Sequence, residues 1–171
     1  MKITGTNITL LAVPLRRPIR TSFHNFSHAY TVFVQMHTDT GLTGMGWCFA
    51  FEERKAAALA LLAEDLAALY VGRDPRAVGG NHAVAWEDMN FLGHAGASMI
   101  ALSGIDTACW ELAALAADVP LYRHLGGAAT RVQTYASSAL WLDRSIDALT
   151  AEALDLMADG HRAMKVRVGQ A

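Results

Sequence analysis

Near the carboxyl end of the sequence, Lys165-Val166-Arg167 sets two cations two residues apart. Side chains alternate along an extended strand, so Lys165 and Arg167 share a face. If that face is buried, each cation has a chemical use. Burial next to another positive charge lowers a lysine's pKa toward neutrality, which suits a general base. A guanidinium holds its proton to a pKa above about 12, so it is a poor base but a good bidentate partner for a carboxylate. The opposite register puts Val166 and Val168 inside and both cations in water, and spacing alone favours it.

The other constellations are weaker. His24 and His28 lie four apart in a stretch expected to be a loop, with no third ligand near them in sequence, which argues against a zinc site. Gly41-x-x-Gly44-x-Gly46 falls inside a hairpin and not between a strand and a helix, so it is no dinucleotide fingerprint. There is no G-x-S-x-G, no P-loop and no cysteine pair at metal spacing. His37, His82, His94, His124 and His161 read as surface or satisfied core histidines. Cys48 and Cys109 stand alone, which suits reduced thiols. Fourteen Lys and Arg against sixteen Asp and Glu give a net charge of -2, so no field draws the chain to nucleic acid or anionic lipid. A small polar or anionic metabolite fits that balance. The start, Met-Lys-Ile-Thr-Gly-Thr-Asn, does not lead into an apolar signal region. The longest charge-free apolar run, Ala56 to Ala63, falls far short of a membrane-spanning helix, which takes roughly 20 residues. No membrane role and a cytoplasmic setting are expected.

The chain has 171 residues and 53% hydrophobic content. Folding at that length can bury about 70% of the unfolded surface, enough for a solid core. Ile3 to Val13 alternates as a strand, with Ile8, Leu10 and Ala12 on one side and Pro14 and Pro18 ending it. Residues 20–29 are polar, aromatic and unperiodic, which predicts a loop. Tyr30 to Thr38 alternates with Val32, Val34 and Met36 on one face. A turn at Asp39-Thr40-Gly41 returns the chain as a third strand, Leu42 to Phe49, in which Gly44 and Gly46 allow close backbone approach. A helix then starts at Glu53, with Leu59, Leu62, Leu66 and Leu69/Tyr70 on one face. A second is expected from near Pro75, past Gly79-Gly80, to about Met89. A third lies within Ala95 to Gly127, where Met99, Leu102, Ile105, Ala108/Cys109, Leu112 and Leu115/Ala116 make one buried stripe and Pro120 halts the helix. Three strands followed by three helices indicate an α+β arrangement. After Gly127, a strand at Val132 to Ser137, a helix at Asp143 to Ala158 and a strand at Ala163 to Val168 make one βαβ unit with parallel strands and a right-handed crossover. The expected inner face of that helix is Ile146, Leu149, Ala153, Leu156 and Met157. The chain divides on this reading into residues 1–127 and 128–171.

The run Ala101-x-Ser-Gly-Ile-Asp106-x-Ala-x-Trp110-Glu111-Leu, followed by Pro120-Leu121 and Leu125-Gly126-Gly127, resembles the mandelate racemase/muconate lactonizing enzyme group of the enolase superfamily. It departs at Glu111, where aspartate is usual, at Leu115, where a basic residue is usual, and at His124, where leucine is usual. The resemblance implies an α+β cap, made of a three-stranded antiparallel meander and a helical bundle, and then the first βαβ unit of a (β/α) barrel that is incomplete in this chain. A full barrel takes about 250 residues, so the chain is expected to be a fragment, an incompletely represented protein or one half of a pair.

The resemblance also implies chemistry. The family carries Lys-x-Lys on the second barrel strand, where the first lysine contacts the substrate carboxylate and the second takes the proton α to it, forming an enediolate with Mg²⁺. Lys165 and Arg167 match those two positions as catalytic residues. Because Arg167 stands where a basic lysine is usual, racemisation by two bases is disfavoured. An acid-sugar dehydratase is the first expectation, with proton removal left to Lys165 or to a base from the rest of the barrel. A racemase or epimerase, a cycloisomerase, and a non-catalytic cap or oligomerisation module are the alternatives. Two cap loops at matching places imply Thr21, Ser22, Phe23, His24, Phe49, Phe51 and Glu52 as substrate-binding residues, with aromatic shielding beside hydrogen-bonding groups. The Mg²⁺ ligands are expected from three carboxylates on later barrel strands and not from this chain. The expected partners are a small carboxylate, a sugar acid, and further copies of the chain in a homo-oligomer.

Overall fold

The computed structural model describes residues 1–21 and 24–168. Three strands come first: β1 (Ile3–Arg20), β2 (Asn25–Thr38) and β3 (Thr43–Ala50), in the sheet order β1-β2-β3. The alternation in β2 has the expected result, since Val32, Val34 and Met36 are fully buried and their neighbours are not. Strand β3 runs antiparallel to β2, setting Val32 opposite Cys48, Val34 opposite Gly46 and Met36 opposite Gly44. The turn between them uses Gly41 at a φ of 81°. Glycine adopts that conformation without a steric penalty.

The helices are α1 (Glu53–Ala68), α2 (Val78–Asp88), α3 (Ala97–Ala116), α4 (Leu121–His124) and α5 (Ile146–Ala158). Helix α3 lies against β3 and α1, and its stripe of Ala101, Leu102, Ile105, Ala108, Cys109 and Leu112 is buried. The approach is backbone to backbone. A Cβ on Gly46 would sit 1.9 Å from the Gly104 carbonyl oxygen, and one on Gly44 would sit 2.3 Å from the Ala108 carbonyl oxygen. The missing side chains are therefore what lets the helix seat on the strand. By length and composition alone α3 is apolar enough to cross a bilayer, but half of it is buried inside the protein, as in a core helix.

Several sequence expectations need correction. Strand β1 runs through Pro14 and Pro18 to Arg20, and β2 begins at Asn25, so most of the expected loop over 20–29 is strand. An edge strand such as β1 tolerates proline, because the missing N–H need cost no ladder bond there. The second helix starts at Val78, after Pro75. The long helix ends at Ala116, before Pro120. Its stop is a reversal at Asp118, whose φ is 54°. There Val119 N–H donates to Ala114 O at 3.2 Å and Asp118 N–H to Leu115 O at 3.1 Å. Such a left-handed stop is usually built on glycine. Pro120 instead precedes α4. Leu115 is exposed and lies off the buried stripe.

The chain separates into two compact units, Met1–Pro14 with His28–Ala128, and Leu15–Ser27 with Ala129–Ala171. In the second, the two expected strands reduce to one parallel bridge, Ala136 to Met164. Parallel pairing around an intervening helix is the βαβ connection. Helix α5 starts three residues later than Asp143, at Ile146. Ser145 Oγ accepts from Ala148 N–H at 3.2 Å, so the serine caps the first turn. That bond satisfies a donor the helix itself leaves unpaired. Ile146 and Met157, expected on the inner face, are exposed.

Candidate functional site

The chemistry-bearing segment is strung on backbone bonds. Lys165 N–H donates to Ala136 O at 2.9 Å, and Arg167 N–H to Leu140 O at 3.3 Å. The two residues then differ. Lys165 is exposed, whereas Arg167 is half-buried. The Arg167 Nη1 donates to Ala139 O at 2.8 Å and its Nη2 to Ser137 O at 2.7 Å. The guanidinium carbon also lies 3.5 Å from the centroid of the Trp141 ring. A cation over an aromatic face is attracted by the ring's negative π cloud. Trp141 in turn donates from Nε1 to Ser138 O at 3.1 Å. Arg167 therefore ties together a loop, 137–141, that follows the first strand position of this unit. Val166 and Val168 are both exposed, like Lys165.

The loop turns on Leu140, which is 2% exposed and has a φ of 58°. A left-handed backbone at a branched residue costs roughly 1–2 kcal/mol, so it persists only where neighbours hold it. Here they do. Leu140 N–H donates to Glu152 Oε2 at 3.0 Å, and Leu140 O accepts from Arg167 N–H. Glu152 also takes Arg17 Nη1 at 3.3 Å on its other oxygen and lies 3.8 Å from Arg144 Nε. Sequence reasoning missed Trp141, Leu140 and Glu152. A usable signal existed for the last, since Glu152 follows Leu149 by three and precedes Leu156 by four, which puts a carboxylate on the apolar face of α5.

Of the first candidate loop, Thr21 follows the end of β1 and His24 precedes the start of β2. Thr21 N–H donates to His24 O at 2.8 Å, and His24 N–H returns to Thr21 Oγ1 at 3.0 Å, so the two residues close the turn on each other. Ser22 and Phe23 lie outside the described residues. The His24 ring stacks on Phe26 with centroids 5.3 Å apart. The second loop keeps its aromatic character. Phe49 and Phe51, both exposed, meet edge to face at 5.4 Å, and Glu52 takes Lys55 Nζ at 2.8 Å just before α1. Phe49, Phe51 and Glu52 belong to the first unit; Thr21, His24, Lys165 and Arg167 belong to the second. Among the described residues, no three His, Cys, Asp or Glu side chains come together as a metal-binding group. The residues described thus do not supply the carboxylate set that would hold Mg²⁺.

The profile of the "Mandelate racemase / muconate lactonizing enzyme, N-terminal domain" matches residues 3–126. The chain is 26% identical over 162 residues to a 3,6-anhydro-alpha-L-galactonate cycloisomerase of Streptomyces coelicolor, covering 94% of this chain and 45% of the relative. It is 32% identical over 145 residues to a D-galactonate dehydratase family member of Catenulispora acidiphila, covering 81% of this chain and 32% of the relative. The crystal structure of an enolase from alpha proteobacterium bal199 with bound magnesium superposes with a TM-score of 0.89 at 28% identity, over 98% of this chain and 47% of that one. The chain thus spans less than half the length of these relatives. Its three-stranded meander, its long glycine-seated helix and the profile match over 3–126 together show that this chain belongs to the mandelate racemase/muconate lactonizing enzyme family of the enolase superfamily.

Proposed function

We propose that this chain forms the N-terminal part of a Mg²⁺-dependent acid-sugar dehydratase. The observation that carries the reading is the unequal use of the two cations. Arg167 commits its guanidinium to the carbonyls of Ser137 and Ala139 and to the Trp141 face, while the Lys165 amine has no such anchor among the described residues. Lys165 is then the group available to take the proton α to a substrate carboxylate, and Arg167 orients the loop beside it. One working base favours loss of a β-hydroxyl as water, giving a keto acid, over inversion, which needs a base on each face. Thr21, His24, Phe49, Phe51 and Glu52, together with Ser22 and Phe23, are proposed to contact the sugar acid. Magnesium in a solved relative and galactonate in a relative's name support the cofactor and the substrate class. A cytoplasmic homo-oligomer is part of the same proposal.

Cycloisomerisation is the second reading, favoured by the cycloisomerase relative that matches 94% of this chain. A panel of sugar acids and their lactones, incubated with the full-length protein and Mg²⁺, separates the two. Keto-acid formation from an open-chain acid supports dehydration. Lactone turnover without a keto acid supports the second reading, and loss of optical rotation with neither product contradicts both.

A further inference from the structure

We infer that Glu152 is a positioning residue that fixes the distal arm of β1, at Arg17, in register with the elbow at Leu140. The inference deepens the reading above, since that arm ends beside Thr21, a proposed substrate contact. All the residues concerned lie in the second unit. The Glu152 side chain is only 19% exposed, yet it accepts hydrogen bonds from Arg17 and from the Leu140 amide and forms an ion pair with Arg144. Arg17 comes from the distal arm of β1, Leu140 from the loop 137–141, and Arg144 from the approach to α5.

The division of labour between its two oxygens makes it a coupler. Oε2 holds the amide of a residue whose left-handed backbone needs support, and Oε1 holds a guanidinium four residues before Thr21. The Arg17 side chain is 72% exposed. A pair between so open a cation and a freely rotating carboxylate would contribute little. Here the carboxylate is already fixed by the Leu140 amide, so Arg17 meets an oriented acceptor. On the other side of the elbow, Arg167 takes the Leu140 carbonyl together with those of Ser137 and Ala139. A shift of the carboxylate therefore moves both the hairpin arm and the loop that Arg167 holds beside Lys165.

Hydrogen exchange read by mass spectrometry on the full chain tests this without turnover, so its failure is distinct from failure of the dehydratase reading. Glu152→Ala should speed exchange about tenfold in peptides over 15–21 and over 137–141 and leave peptides of β3 and α3 unchanged. Glu152→Gln keeps a carbonyl acceptor for the Leu140 amide and loses the charge, so the elbow should stay protected while the hairpin arm is released. Arg17→Ala, a change at an exposed side chain, should match Glu152→Gln in the hairpin and spare the elbow. Salt at about 1 M, where the Debye length is about 3 Å, should do the same to the unmodified chain. Unchanged hairpin exchange in Arg17→Ala and in high salt would overturn the coupling. So would equal release of hairpin and elbow in Glu152→Gln, which would mean that the charge holds both.

Discussion

The two units of this chain are held by different forces. In the first, Val32, Val34, Met36, Ile105, Ala108 and Leu112 are sealed from water, and glycines at 44, 46 and 104 bring helix and strand into backbone contact. In the second, Ala136 and Leu140 are the buried apolar residues among those described, and α5 has none. Order there comes from Arg167 on carbonyls and from Glu152 among its donors. Ile146 is 81% exposed and Val168 84%. Apolar close packing gives a platform with little sequence-specific chemistry. A polar lattice fixes side-chain geometry.

The contrast is sharpest at Gly46 in the first unit. There Gly46→Ala forces a Cβ into the Gly104 carbonyl, a clash relieved only by separating α3 from β3. Overpacking of that kind should cost about 3 kcal/mol in urea denaturation. A loss under about 1 kcal/mol would mean that the helix seats less tightly than the backbone spacing shows. In the second unit, Arg167→Met removes two charge-assisted bonds and the contact with Trp141. The expected loss is about 2 kcal/mol. It should appear as faster exchange over 137–141 with the urea midpoint of the first unit unchanged. A smaller effect has the opposite sign. The Tyr70 hydroxyl is buried with no hydrogen-bond partner among the described residues. Removing an unpaired buried hydroxyl relieves its desolvation, so Tyr70→Phe should raise the stability of the first unit by about 1 kcal/mol.

The two cysteines offer a test that leaves the sequence intact. Burial, with the Asp106 charge behind it, pushes the Cys109 thiol up to about 12, and burial also raises Cys48. The thiolate is the reactive form, so in mildly alkaline buffer neither should take an alkylating reagent in the folded chain, and both should react once urea unfolds it. Labelling of Cys109 before unfolding would show that the helix layer opens.

Much of the first unit was legible in the sequence, because its forces leave periodic marks. The β2 alternation, the turn at Gly41, the close approach at Gly44 and Gly46 and the stripe from Leu102 to Leu112 are all patterns of size and polarity at fixed spacing. What misled was proline in β1. Pro14 and Pro18 read as terminators, and an edge strand tolerates both. The helix stop at Asp118 was hidden for a related reason, because a reversal usually marked by glycine is made there by an aspartate. The second unit left fainter marks. Lys165 and Arg167 stood out as types, but the anchoring of Arg167 depends on the carbonyls of Ser137 and Ala139, and no spacing rule shows where backbone oxygens will point. Glu152 was visible only as a carboxylate on an apolar face, and Leu140 carries no sign of its left-handed backbone.

Exchange of the substrate α-proton with solvent deuterium most directly tests whether Lys165 is the base and Arg167 the brace. In the full-length protein with Mg²⁺ and a turned-over sugar acid, Lys165→Met should abolish exchange at the α-carbon. Arg167→Met should slow it while leaving the same single stereochemical preference. Equal exchange of both α-epimers by the unmodified protein, with Arg167→Met stopping only one of them, would make Arg167 a base and contradict the account.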